Sequence, residues 1–321
     1  MASTFPPSPH PRKIGGIALW ITAGLVLLAI IAYFAIGAVA ANALTQPRRD
    51  FSAGITPDTV NLPFEAVRFP ARDGAAEIAG WFIPAGESAP VIIMVHGRDA
   101  SRTAAVKGAF LQEAKLLHDA GFAVLMIDLR GHGESSDARF TFGLKERADV
   151  LGAVDWLLQR GVAAGRIGVL GLSLGAAAGI GAAAEDPAIG ALVTDSAFAD
   201  INPLIEQQWE AASGLPKPFL YAALLMARVL TGEDLTQARP VQELAQVAPR
   251  PVLLIHCAAD DYVPAENLSA LHAVDPDAES WLIPGTGCLH SEGFNVDPAV
   301  YGARVAAFFA EAFSLTSSEQ E

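Results

Sequence analysis

The sequence predicts an α/β fold: an eight-stranded, mostly parallel sheet with helices on both faces and a small helical cap, preceded by one N-terminal transmembrane helix. Three observations carry this. Short apolar runs alternate with longer helical patterns along most of the 321 residues. The stretch from Ile14 to Leu44 is apolar, with no charge between Lys13 and Arg48. The segment "LGLSLGAAAG" (170–179) sets a serine between glycines, after an apolar run and before an alanine-rich one.

In chain order, residues 1–13 read as a Pro/Ser-rich tail. The apolar stretch 14–44 exceeds the ~20 residues that cross a bilayer as a helix. Trp20 and Tyr33 suit its interfacial ends. A cleaved signal peptide is the alternative, with the small residues Ala38 to Ala40 as the cut. A signal's apolar core runs only ~7–15 residues, so the length favours a retained anchor. Arg12 and Lys13 on one side nearly cancel Arg48 and Arg49 on the other, and the short tail makes N-terminus-in, remainder exported, the default. A linker is expected over 45–61, with Pro47, Gly54 and Pro57, then one domain over 62–313 and a polar tail over 314–321.

Within the domain, strands are expected at 64–70, 77–83, 91–96, 123–128, 166–171, 191–195, 251–256 and 280–284. The first two alternate in character, as an antiparallel hairpin does. The later ones are nearly all apolar, as in a parallel sheet covered on both faces. Helices are expected at 103–119, 143–160, 174–185, 265–274 and 298–313. Residues 199–248 exceed an ordinary crossover and read as a cap insertion, with a helix at 218–230.

The formal net charge is −14. The first 50 residues hold four basic groups and one acid, leaving 17 basic and 34 acidic residues, or −17, on the remainder. Such acidity argues against nucleic acid and anionic membrane surfaces as partners. The two cysteines, Cys257 and Cys288, fit one disulfide in an exported domain or none in a cytosolic one, and no Cys/His metal spacing occurs.

Ser173 stands at a strand-to-helix turn with Gly171 and Gly175 two residues to either side, the pattern of a nucleophile elbow. The turn projects the hydroxyl and sets the Leu174 N–H, at a helix N-terminus, beside the reacting carbon. A serine needs a base oriented by a carboxylate, in the order Ser, acid, His on this architecture. Of seven histidines only His290 follows the last strand. His10 is in the tail, His118 and His272 fall on helices, His96 and His132 precede Ser173, and His256 ends a strand. For the acid, Asp260 is chosen, with Asp261 and Asp195 as fallbacks. The loop "HGRDASR" after the third strand offers the Arg98 N–H as second oxyanion donor. An arginine there is unusual; its side chain either faces solvent or reaches towards a substrate carboxylate.

Taken together, "VHG" (95–97), "DLRGHGES" (128–135), "GLSLG" (171–175), "DSAFAD" (195–200), "IHCAADDYVP" (255–264) and "HSEGFNVDPAVYGARVAAFF" (290–309) occur in family order. With them the chain resembles the α/β-hydrolase superfamily, and within it the serine-aminopeptidase-like, Bem46-type group. The resemblance implies a triad of Ser173, Asp260 and His290, since the family's Asp-x-x-Val-Pro falls on Asp260, Val263 and Pro264. It also implies structural roles for Asp128, Arg130 and His132. Cys257 departs from the family's glycine after His256. Because the Asp260 and His290 loops must meet, a Cys257–Cys288 bridge is one expectation and two buried thiols the other.

The expected function is a membrane-anchored serine hydrolase cleaving a carboxylic ester through an acyl-enzyme. A peptidase or amidase is second, and a non-catalytic anchored binding protein is the alternative from another class. The expected partners are a small-molecule or lipid-like acyl substrate and the membrane, with no nucleic acid, no metal and no organic cofactor. The oligomeric state is left open.

Overall fold

The computed structural model describes residues 14–52 and 54–318. The expected tail over 1–13, with Arg12 and Lys13, lies outside the described residues. The sheet has eight strands in the order β1-β2-β4-β3-β5-β6-β7-β8. β1 (Glu65–Pro70) and β2 (Glu77–Ile83) form the antiparallel hairpin, and β2 also runs antiparallel to β4 (Ala123–Ile127). β3 (Val91–Val95), β5 (Ile167–Leu172), β6 (Ile189–Asp195), β7 (Val252–Cys257) and β8 (Glu279–Ile283) continue it in parallel.

The central strands are buried on both faces because successive side chains point into two different cores. Ile93 and Val95 of β3 face one core, Ile92 and Met94 the other. The first core is closed by α3 (Arg147–Gln159), α4 (Leu174–Glu185) and α8 (Glu266–Val274). The second is closed by α2 (Phe110–Asp119) and α10 (Pro298–Ser318). β1 and β8 are the edge strands, and Leu282 on β8 is exposed. α9 (Gly293–Val296) is a single turn before α10. α10 runs on through Ser318, into the segment expected as a polar tail.

Two expected helices are shortened. Residues 103–119 do not form one helix. Val106 and Lys107 take left-handed angles (φ 55° and 54°) inside a 3-10 turn at Ala105–Gly108, and α2 begins only at Phe110. α3 starts at Arg147 rather than at 143. The Glu146 carboxylate accepts the N–H groups of Thr141 and Gly143 (2.8 Å each) and holds the preceding residues in a turn.

The insertion forms α5 (Ile201–Ser213), α6 (Pro218–Thr231) and the short α7 (Pro240–Leu244). Asp200 starts α5 by accepting the Asn202 N–H.

α1 (Ile14–Thr45) is one continuous helix, long and apolar enough over Ala18–Thr45 to cross a membrane. Residues 18–32 are exposed, whereas the second half of the helix packs on α6. Tyr33 donates its hydroxyl to the Pro218 carbonyl (2.7 Å) and its ring meets Phe219. Gly37 lies so close to α6 that a Cβ there would stand 2.6 Å from the Ala222 Cβ. Arg139 donates to Thr45 Oγ1 and Asn42 Oδ1.

The residues expected as a linker lie along the domain. Arg48 N–H bonds Asp99 Oδ1, Arg49 donates to the Gly133 and Ser135 carbonyls, and Ser52 N–H bonds Thr103 Oγ1. Proline and glycine content suggests a tether; side-chain hydrogen bonds from a distant loop make it a strap.

Candidate active site

Ser173, Asp260 and His290 follow the carboxyl ends of β5, β7 and β8, neighbours towards one side of the sheet. Ser173 has φ 51° and ψ −109°, a backbone conformation that costs about 1–3 kcal/mol for a residue with a side chain. The surroundings enforce it. Ser173 N–H bonds the Asp195 carbonyl (2.9 Å), and α4 starts at once. A Cβ on Gly175 would collide with the Val95 and His96 carbonyls, so no larger residue fits there without shifting backbone. The loop after β3 crosses directly over the serine. A Cβ on Gly97 would lie 3.3 Å from the Ser173 Cβ.

The structure brings the three residues together. His290 Nε2 lies 2.8 Å from Ser173 Oγ, and His290 Nδ1 lies 2.7 Å from Asp260 Oδ2. Asp260 is buried, and its Oδ1 accepts the N–H groups of Tyr262 (3.0 Å) and Val263 (2.8 Å). Burial pushes its carboxyl pKa up, but the hydrogen bond and charge of His290, with the Val263 N–H, outweigh this and leave it below the usual aspartate value. His256 is buried beside it, with Nε2 2.7 Å from the Val263 carbonyl, and so holds the same loop.

The fallback acids stand elsewhere. Asp261 is exposed. Asp195 accepts from Ser196 Oγ (2.9 Å) and Tyr301 Oη (3.0 Å), while Ser196 Oγ in turn accepts the Ser291 N–H (2.9 Å). Asp195 therefore reaches the residue next to His290, not His290 itself. Of the remaining histidines, His118 is on α2 and His272 on α8, and His10 lies outside the described residues.

Cys257, the last residue of β7, and Cys288, two residues before His290, form a disulfide across 31 positions, with Cα atoms 5.2 Å apart. Both cysteines are buried, so of the two expectations for this pair the bridge is the one found. It ties the acid loop to the base loop.

Leu174 is the first residue of α4, and Arg98 lines the cleft above Ser173. Among the described residues neither N–H meets a protein acceptor. The Arg98 side chain is about one-third exposed. Its guanidinium lies 5.6 Å from the Phe140 and Tyr262 ring centres and near Asp99. It thus lies between two aromatic rings at the rim.

Asp128, Arg130 and His132 hold loops. Asp128 accepts from Arg102 and from Glu134 N–H, and Arg130 is paired with buried Asp149. His132 Nδ1 donates to the Arg130 carbonyl and Nε2 accepts the Asp99 N–H, so the ring is satisfied only when neutral. Burial, then the neighbouring His96, hold its pKa down at about 4.

Sequence reasoning missed Tyr262, whose ring lies 4.9 Å from His290, and Val106 in the opposite wall. It also missed the Asp195–Ser196–Ser291 relay. Tyr262 had a signal: it falls inside the Asp-x-x-Val-Pro stretch that carries the acid. Among the described residues no His/Cys/Asp/Glu group could hold a metal ion.

A family model described as X-Pro dipeptidyl-peptidase (S15 family) matches residues 79–283. The uncharacterized protein Rv2307c of Mycobacterium tuberculosis is 29% identical over 297 residues, covering 89% of this chain and 95% of the relative. Among solved structures, the Pyrococcus furiosus esterase Pf2001 superposes with a TM-score of 0.68 at 23% identity, over 84% of this chain and 99% of that one. A puromycin-hydrolyzing peptidase of Mycobacterium tuberculosis gives 0.61 at 18% identity, over 78% of this chain and 39% of that one. At these identities the structural matches show the fold. With the family model spanning most of the sheet, the chain is an α/β-fold hydrolase and belongs to the X-Pro dipeptidyl-peptidase (S15) family of the α/β-hydrolase superfamily.

Proposed function

We propose that this chain is a membrane-anchored serine hydrolase that cleaves a carboxylic ester through Ser173, His290 and Asp260. The observation that carries the reading is the unbroken hydrogen-bonded path from Ser173 Oγ through both His290 nitrogens to Asp260. His290 Nε2 takes the hydroxyl proton as Oγ attacks the acyl carbon. Asp260 fixes the Nδ1–H tautomer and balances the imidazolium charge. The N–H groups of Leu174 and Arg98 receive the oxyanion, which the start of α4 also favours. The tetrahedral species collapses, His290 protonates the departing alcohol, and water, activated by the same histidine, releases the acyl group.

Retention of α1 is supported by its docking. A cut after Ala40 would remove Tyr33 and Gly37 from their partners on α6. The disulfide fits an oxidising compartment and thus the exported side. An amide or peptide bond is the second reading, favoured by the family model's description.

Fluorophosphonate labelling of the full chain in detergent tests the reading. Wild type is expected to label and Ser173→Ala not to, with ester hydrolysis falling about 10⁴-fold or more. A wild type that does not label, or a variant that labels equally, sinks it. A panel of esters and aminoacyl amides, each scaled to its uncatalysed rate, decides the bond. Larger acceleration of the amides would favour the second reading.

A further inference from the structure

A large cavity lies not at Ser173 but next to it. The cleft over Ser173 holds about 260 Å³ and is bounded by Gly97, Val106, Tyr262 and His290. A second cavity of about 800 Å³ opens beside it, within the ~300–1,000 Å³ range of small-molecule sites. One wall is α1, through Ile36, Val39 and Leu44. The other is α5, through Leu204, Ile205 and Trp209. The two spaces share Arg98, Asp99 and Tyr262 as lining, so the cavity leads to the cleft at that seam. Ala40, Ala43 and Ala212, where larger side chains would fill the space, leave it open.

The length of α1 places this cavity. At 1.5 Å per residue the hydrocarbon core takes about 20 residues. Counted from Ile14 such a span ends at Tyr33, and counted from Ala18 it ends at Gly37. Val39 to Leu44 then stand just outside the hydrocarbon, and they supply four of the six α1 residues that wall the cavity, with Ala35 and Ile36 at its membrane end. α6, docked on α1 through Tyr33 and Gly37 at the end of that span, turns Tyr221 and Val229 outward at 75% and 69% exposure, with Leu225 between them. An apolar surface therefore continues from the membrane helix across the cap. The cavity's charged lining, Arg48, Arg98 and Asp99, includes two of the three residues at the seam with the cleft.

We infer that α1 is a wall of the substrate site as well as an anchor, and that the cavity between α1 and α5 takes the acyl chain of a long-chain ester resident in the bilayer. This rests on the serine-hydrolase reading of Ser173. The chain enters at the α1 boundary from the membrane, lies between α1 and α5, and brings its carbonyl past Arg98 and Tyr262 to Ser173. Water-soluble short esters would reach the cleft without using this cavity.

The test compares p-nitrophenyl acetate with p-nitrophenyl decanoate on the full chain, in one detergent at one concentration. Wild-type kcat/KM is expected to rise with chain length, by at most about fourfold per methylene. Ala43→Trp on the α1 wall and Ala212→Trp on the α5 wall are each expected to lower the decanoate-to-acetate ratio at least tenfold. A flat wild-type profile, or a ratio unmoved in both variants, overturns the inference. A measurement on wild type guards against misfolded variants. A long-chain alkyl fluorophosphonate with a terminal diazirine is reacted with Ser173 and photolysed. Crosslinks within 35–44 or 204–212 support the cavity, and crosslinks confined elsewhere overturn it. Absence of any fluorophosphonate labelling would instead remove the reading of Ser173 on which the inference stands.

Discussion

The two halves of this molecule are held by different physics. At the carboxyl ends of the strands, polar groups are over-determined. Asp260 accepts two N–H groups and His290, Asp195 reaches Ser291 through Ser196, and a disulfide ties the two loops. Where α1 meets α6, contact is made mainly by small and apolar residues, Gly37 against Ala222 and Tyr33 against Phe219, beside an open cavity. The first region fixes atoms for chemistry. Among the described residues α1 has one hydrogen bond to α6, at Tyr33, and this seam can part with less penalty. The difference teaches that position matters to tenths of an ångström on one side, while shape and space matter on the other.

Reducing the disulfide should strike the first region hardest. A crosslink closing about 30 residues stabilises by roughly 3–4 kcal/mol in the chain-entropy view. Cys257→Ser/Cys288→Ser, or full reduction, is expected to lower the unfolding free energy of the domain by about that amount. Ester turnover should fall with it, because the bridge joins the loops bearing Asp260 and His290. Denaturant titrations with and without reductant check this. Unchanged stability and turnover would show that Asp195, Ser196 and Ser291 hold the loops unaided.

A weaker effect comes from acid. His132 is buried and satisfied only as the neutral ring, with a pKa of about 4 against the ordinary histidine value of 6.5. Between those values the unfolded chain binds a proton that the folded chain does not. Stability contributed by the neutral ring is thus full above about pH 6.5 and drains as pH falls towards 4, by at most about 3 kcal/mol. His96, whose pKa burial also lowers, adds to it with the same sign. His132→Asn should be less stable at pH 7.5, yet lose less than wild type between pH 7 and 4.5. Parallel stability curves for the two would refute this.

The same contrast governs how much was legible in the sequence. The strands fall within two residues of their observed ends, and α4 at both its ends, because short apolar runs bounded by polar loops and a glycine-flanked turn leave few choices. Ser173, Asp260 and His290 were nameable because each sits in a loop whose shape demands particular neighbours. The break at Val106 and Lys107 was not, since left-handed angles in ordinary residues leave no trace in apolar spacing. The segment expected as a linker over 45–61 gives no view of Asp99 or Gly133, which hold Arg48 and Arg49 of it to the domain. The docking of α1 on α6 was hidden for a further reason. The small residues that allow it look like any others in a long apolar helix.

Gly37→Leu separates the two regions most finely. A side chain there meets Ala222 Cβ at 2.6 Å and its backbone carbonyl carbon at 2.8 Å. One helix must therefore move, and overpacking of this kind costs about 1–3 kcal/mol. Gly37 itself does not line the cavity, but the helix it docks does, so parting the seam displaces α1 without touching Ser173, which rests on β5 and α4. Decanoate turnover should fall relative to acetate turnover, while fluorophosphonate still reaches Ser173. Gly37→Ala, smaller but still inside the 2.6 Å limit, should fall between wild type and leucine. If labelling and both esters decline together, anchor and relay are one mechanical unit, and the independence argued from their different contacts is wrong.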